Sequence, residues 1–144
     1  MNETHHCLEC GHSITTGIFN FSTEEFGVPL CMKHQHWLRE SKASETARSL
    51  YFALKENGAA VVLEYSDGKK TVDIAIPGKL YIEVNGSNHQ EPDQALTDFL
   101  RSLHSWKENI PTLNVSNEHI WNSYYFGILV DRLTELSRDQ KMTG

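Results

Sequence analysis

Two alternating apolar runs joined by Pro77-Gly78 constrain this chain more than any other stretch. Val72, Ile74 and Ile76 alternate with Asp73 and Ala75, and Leu80, Ile82 and Val84 alternate with Tyr81, Glu83 and Asn85. A period of two is that of a strand, and Pro-Gly is a tight-turn signal, so residues 71 to 85 predict a β-hairpin. Alternation sets Asp73 opposite its apolar neighbours and puts Glu83 and Asn85 on one face. Carboxylates flanked by Val and Ile on adjacent strands either line the wet face of a sheet or are offset by a hard cation. The local pattern leaves both open.

The 144 residues allow one compact domain plus a small module. A hydrophobic content of 39% and a charged content of 22% fit a soluble globular protein. No apolar run approaches the length of a membrane span. The start, MNETHHCLEC, has neither a basic nor an apolar leader region, so a cytoplasmic protein is expected. A formal charge of −6 counts against tight duplex binding by this chain alone, without excluding a local basic face.

All three cysteines fall in the first 40 residues, as Cys7-x2-Cys10 and Cys31-x2-His34 with 20 residues between the pairs. Two close pairs of soft or borderline ligands are what tetrahedral zinc takes, and each pair suits a tight turn at one end of a small hairpin. Gly11 gives such a turn its positive-φ freedom. Ile18, Phe19, Phe21 and Phe26 supply a minimal core that needs a staple. An odd cysteine count without an export signal argues against disulfides, and a redox Cys-x2-Cys would leave Cys31 and His34 unexplained. Residues 1–40 therefore predict a zinc-ribbon-like module, with Cys7, Cys10, Cys31 and His34 as ligands to a structural Zn²⁺. His5, His6, His12 and His36 lie near enough in sequence to compete for the fourth place.

Residues 41–144 read as a second domain. Ala47, Leu50, Tyr51 and Leu54 mark a helix over 42–57, with Ser41 or Ser44 as N-cap and Gly58 past its end. Ala59 to Tyr65 is a β-branched strand, and Asp67-Gly68 turns it back into the strand carrying Asp73. A helix follows over 91–107, with Leu96, Phe99, Leu100 and Leu103 inward, then a short strand over 112–115. The last helix spans 121–137, with Tyr125, Leu129, Leu133 and Leu136 inward and Asn117 or Ser116 placed to cap it. The order is helix, three strands, helix, strand, helix: an α/β fold with a mixed sheet covered by helices.

That αβββαβ order, with Asp in its second strand and Glu in its third, resembles the core of the PD-(D/E)XK nuclease superfamily. Val72-Asp73-Ile74-Ala75, then Tyr81-Ile82-Glu83-Val84-Asn85-Gly86, then His89, look like the branch related to very-short-patch-repair endonucleases. The helix before the sheet and the stretch from Gln94 through Asp98 to Arg101 continue the likeness, which covers roughly residues 44 to 136. A leader ending in Leu-Cys-x2-His-Gln is similar to modules found ahead of such nucleases.

The resemblance implies a restriction-endonuclease-like fold and Mg²⁺- or Mn²⁺-dependent hydrolysis of phosphodiester bonds in DNA. Asp73, Glu83 and the main-chain carbonyl of Val84 would hold the metal, which polarises the phosphate and acidifies a water. The family's motif ends in Lys where this chain has Asn85, which offers hydrogen bonds but no positive charge. His89 is then a candidate acid or base, since an imidazole titrates at about 6.5, or else a solvated loop residue. Glu64 is the better of two further carboxylates, Glu45 being the other. Lys69, Lys70 and Lys79 are turn lysines, and Asp98 with Arg101 reads as an ion pair. The alternative is a nuclease fold without activity that binds nucleic acid or docks on a protein. Nucleic acid is the expected partner, with a homodimer or a targeting protein left open and no membrane. A nuclease would gather part of the basic pool (Lys33, Arg39, Lys42, Arg48, Lys69, Lys70, Lys79, Arg101) beside Asp73.

Overall fold

The computed structural model describes residues 4–66, 68, 71–85 and 110–138. The chain divides between Lys42 and Ala43 into two compact units. The expected helix over 91–107 lies outside the described residues, as do Asp67, Lys69, Lys70, His89, Asp98 and Arg101. Among the described residues no helix is long and apolar enough to cross a membrane.

In the first unit, β1 (His5–His6) pairs antiparallel with β2 (Ser13–Ile14), His5 opposite Ile14. Gly11, at φ 78°, turns the chain between them, and the amide of Cys7 donates to His12 O at 2.8 Å. Helix α1 (Thr16–Phe26) begins at Thr15, whose hydroxyl accepts from Ile18 N at 3.2 Å. It ends at Gly27 in the left-handed region, φ 81°. Helix α2 (Met32–Glu40) starts directly after Cys31.

The unit's interior differs from the expected aromatic core. Phe21 is 49% exposed, and Ile18, Phe19 and Phe26 are half-buried. Because the segment is a helix, Ile18, Phe19, Ser22 and Phe26 share one stripe and Phe21 falls beside it. The buried residues are Cys7, Val28, Leu30, Leu38, Ser22 and Gln35. Ser22 Oγ donates to Val28 O at 2.6 Å and accepts from Leu30 N at 2.8 Å, while Gln35 Nε2 donates to Leu30 O at 3.0 Å. Two buried polar side chains thus satisfy the backbone of the loop that leads into Cys31. The module is not a ribbon of two hairpins. Among the described residues it has one hairpin and two helices, because Cys-x2-His spacing is also one helical turn.

The second unit opens with α3 (Glu45–Glu56), capped by Ser44 Oγ accepting from Ala47 N at 3.1 Å. Ala47, Leu50, Tyr51 and Leu54 are fully buried, on the expected stripe. Gly58, at φ 83°, ends the helix, and a Cβ there would meet the Arg138 guanidinium at 2.9 Å. Arg138 also donates to Asn57 O, so the chain's last described residue closes over this helix end.

Strands β3 (Val62–Ser66), β4 (Thr71–Ile76), β5 (Leu80–Asn85) and β6 (Thr112–Ser116) form one sheet in that order. The first three are antiparallel, while β5 and β6 are parallel, with Tyr81 opposite Thr112 and Asn85 opposite Ser116. Parallel neighbours require a crossover connection, which falls between Asn85 and Thr112. Pro77 and Gly78 form the central pair of a type II turn: Gly78 has φ 79°, and Lys79 N donates to Ile76 O at 2.9 Å. The fold is therefore mixed α/β around a four-stranded mixed sheet.

Ile74, Ile76, Leu80 and Ile82 are fully buried in the sheet, as is Leu133 on the last helix. Val72, Ala75 and Tyr81 form a further buried cluster with Tyr65 against it, the two tyrosine rings 5.8 Å apart. Strict alternation from Leu63 would send Tyr65 away from Tyr81. Between them Glu64 has φ 54°, left-handed in mid-strand, and this rotates the chain.

The expected helix over 121–137 is α5 (Ser123–Arg138), and a separate short helix, α4 (Asn117–Trp121), precedes it, so neither Ser116 nor Asn117 is its cap. Asn122 makes the break, its Oδ1 accepting from Tyr124 N at 3.1 Å and Tyr125 N at 3.3 Å, an N-cap for α5. Leu129, Leu133 and Leu136 are buried as expected, while Tyr125 is half-buried.

Candidate metal centre and carboxylate positions

Cys7 and Cys10 flank the turn after β1, and Cys31 and His34 sit at the start of α2. Their ligand atoms all lie within 4.8 Å of one another. Cys31 Sγ is 3.2 Å and Cys7 Sγ 3.7 Å from His34 Nδ1, and Cys10 Sγ is 3.9 Å from Cys31 Sγ. Around a tetrahedral zinc, S···S edges are about 3.8 Å and S···N edges about 3.6 Å, so the four donors are spaced for one such ion. The sulfurs are not joined, and all three cysteines are free. Leu8 N donates to Pro29 O at 2.8 Å, tying the first ligand pair's turn to the loop before the second.

Burial pushes the Cys7 thiol up. The main-chain amides of Cys31, Cys10 and Glu9 outweigh this and hold its pKa below the ordinary thiol value. Cys10 runs the other way. The amide of His12 favours its thiolate, but desolvation, hydrogen bonds with the Cys7 and Cys31 side chains and the Cys7 charge prevail and raise its pKa. Three sulfurs this close cannot all carry charge unless a cation offsets it, and a divalent ion removes the conflict. The donor set fits zinc.

The other histidines have separate surroundings. His5 stacks on Phe19 with centroids 3.9 Å apart, His6 is exposed, and His36 faces Glu40 at 3.1 Å. His12 comes nearest, its Nδ1 3.3 Å from Cys10 Sγ. Trp37 stands edge-on to His34 at 5.7 Å, a neighbour that the ligand spacing does not signal.

In the second unit Asp73 and Glu83 are both half-buried, on β4 and β5. The ladder between these strands runs from Ile76 with Leu80 to Ile74 with Ile82, and extending that register one step sets Asp73 opposite Glu83. There a side chain enters: Val84 N donates to Asp73 Oδ2 at 2.8 Å. Within an extended strand the N–H and C=O of one residue project to the same side, so the Val84 carbonyl points toward the Asp73 side as well. Glu83 lies opposite Asn114 on β6, a polar partner that no motif pointed to. Asn85 is the last residue of β5.

Glu64 falls opposite Asp73 when the β3–β4 register, Leu63 with Ile74 and Tyr65 with Val72, is filled in. It is exposed, and its Oε1 accepts from Ala43 N at 3.3 Å. Among the described residues the Cys7, Cys10, Cys31 and His34 set is the cluster of three or more metal-binding side chains that converges. Glu64, Asp73 and Glu83 share a row without converging as tightly. Glu45 lies in the first turn of α3. Lys79 does not face water as a turn lysine would: its Nζ donates to Leu136 O at 3.0 Å and Ser137 O at 3.1 Å, at the C-terminus of α5. Lys33, Arg39 and Lys42 are exposed in the first unit, with Arg39 over the Phe26 ring at 5.2 Å, and Arg48 is half-buried on α3.

Protein-family models, curated proteins and solved structures were each compared with this chain, and none matches it.

Proposed function

We propose that the second unit is a metal-dependent phosphodiesterase of the PD-(D/E)XK kind acting on DNA, and that the first unit is folded around a structural Zn²⁺. The observation that carries the nuclease reading is the register of Asp73 and Glu83. They fall opposite one another where the β4–β5 ladder ends, with the Val84 carbonyl on the Asp73 side. The sheet order β3-β4-β5-β6 with its final parallel pair supports it.

A bound Mg²⁺ or Mn²⁺ would supply charge for the scissile phosphate and a water acidic enough to attack it. Asp73 and Glu83 are a suitable carboxylate pair for such an ion, which usually keeps its remaining places for water and phosphate. One oxygen of Asp73 is held by the Val84 amide, which fixes the carboxylate and leaves the other oxygen for the metal. Asn85 would offer a water hydrogen bonds but no positive charge, and His89 is the candidate proton carrier.

A second reading, a nuclease fold without activity that binds nucleic acid or docks on a protein, is favoured by one observation. The hairpin lysine nearest the missing motif lysine, Lys79, is engaged by the carbonyls of α5. The test is cleavage of plasmid and oligonucleotide DNA with Mg²⁺ and Mn²⁺ by zinc-loaded, folded protein, comparing Asp73→Ala and Glu83→Ala. Metal-dependent cleavage lost in both variants supports the first reading. Wild-type protein that cuts nothing with either metal sinks it.

A further inference from the structure

The four donors of the candidate zinc site are unequally sheltered. Cys7 is 2% exposed and takes hydrogen bonds from three main-chain amides. Cys31 and His34 are half-buried. Cys10 alone is exposed, at the outer corner of its turn beside Gly11, and its Sγ is 3.9 Å from Cys31 Sγ. A disulfide needs about 2.05 Å, so the two sulfurs have to close by roughly 2 Å, a movement that loss of the ion between them permits.

We propose that Cys10 and Cys31 form an oxidation site: a two-electron oxidant of the peroxide class converts them to a disulfide and expels the zinc. The inference rests on the zinc reading above. Cys10 Sγ attacks one peroxide oxygen; the O–O bond breaks, a sulfenic acid forms and hydroxide leaves to become water. The Cys31 thiolate then attacks the Cys10 sulfur. An S–S bond forms, the S–O bond breaks, and a second hydroxide takes up a proton. The two thiolates lose two electrons and the peroxide gains them. Cys7 and His34 remain, too few to hold the ion, and the first unit loses the staple around which its small interior is built. A thiol reductant and fresh zinc reverse the change.

The experiment is a hydrogen peroxide titration of the zinc-loaded chain. Released zinc is read with a chromogenic chelator, the disulfide by peptide mapping, and the first oxidised sulfur by dimedone trapping on wild-type protein. Expected are zinc release, a Cys10–Cys31 disulfide with Cys7 still a thiol, and the first dimedone adduct on Cys10. Cys10→His, which keeps a ligand but removes that sulfur, should retain zinc and slow its release by about an order of magnitude. Zinc held through the titration, a disulfide containing Cys7, or a first adduct on Cys7 or Cys31 overturns the proposal. Reduced chain that takes up no zinc at all overturns the site reading itself, and this inference with it.

Discussion

Asp73 Oδ2 takes the main-chain N–H of Val84 at 2.8 Å, a side-chain acceptor standing where the antiparallel ladder would otherwise supply a carbonyl. The relationship ties a carboxylate of one strand to the backbone of the next. Asp73 therefore has a structural and a chemical role that substitutions can separate. Asp73→Ala leaves the amide without its acceptor and should cost about 1–3 kcal/mol. Asp73→Asn keeps an acceptor and should cost less. Urea unfolding of both, set beside a cleavage assay, checks this: equal stabilities would mean the hydrogen bond matters little.

Zinc should bind at one ion per chain and hold the first unit together. Chelation, or Cys7→Ser or Cys31→Ser, should strip the ion and abolish that unit's near-ultraviolet signal, because its interior rests on few apolar residues. Metal analysis alongside circular dichroism reads both. A native signal after complete removal of metal would refute the structural role.

Glu64 occupies the left-handed region at φ 54°, where a side chain costs about 1 kcal/mol relative to glycine. Its carboxylate returns part of this through the Ala43 amide. Glu64→Gly should be close to neutral, and Glu64→Ala should destabilise by about 1 kcal/mol, since it keeps the strain and loses the bond. Thermal melts of the pair give the answer; the opposite ranking would contradict the backbone reading.

Lys79 acts on the end of α5. Lys79→Met should lower stability by about 1–2 kcal/mol through the loss of two charge-assisted bonds to terminal carbonyls, and should leave DNA affinity and its salt dependence unchanged. A flatter salt slope in the variant would instead mark Lys79 as a phosphate contact.

The hairpin over residues 71–85 was open to reading because its alternation, its Pro-Gly turn and its β-branched content all agree. The stripe of α3 and its Ser44 cap were equally plain. Elsewhere the signals were ambiguous. Cys31-x2-His34 fits a turn or a helix equally, so spacing identified the ligands but not the architecture that carries them. The apolar stripe from Leu129 to Leu136 hides the break at Asn122, which depends on one amide side chain choosing to cap. Nothing in the letters around Glu64 announces a left-handed residue, because a glutamate has no preference for that region. The row of Glu64, Asp73 and Glu83 could be foreseen only in part. Alternation assigns faces, while register assigns opposite numbers.

The bond from Lys79 to the carbonyls of Leu136 and Ser137 spans 57 and 58 residues of chain. During synthesis the β4–β5 hairpin can form as soon as it leaves the ribosome, since its contacts are local. Its turn cannot be anchored until Leu136 and Ser137 have emerged as well. The hairpin bearing Asp73 and Glu83 thus belongs to a structure completed only after the chain as far as Ser137 has been made. A chain released early, before Leu136, would carry both carboxylates on a hairpin whose turn lacks its anchor.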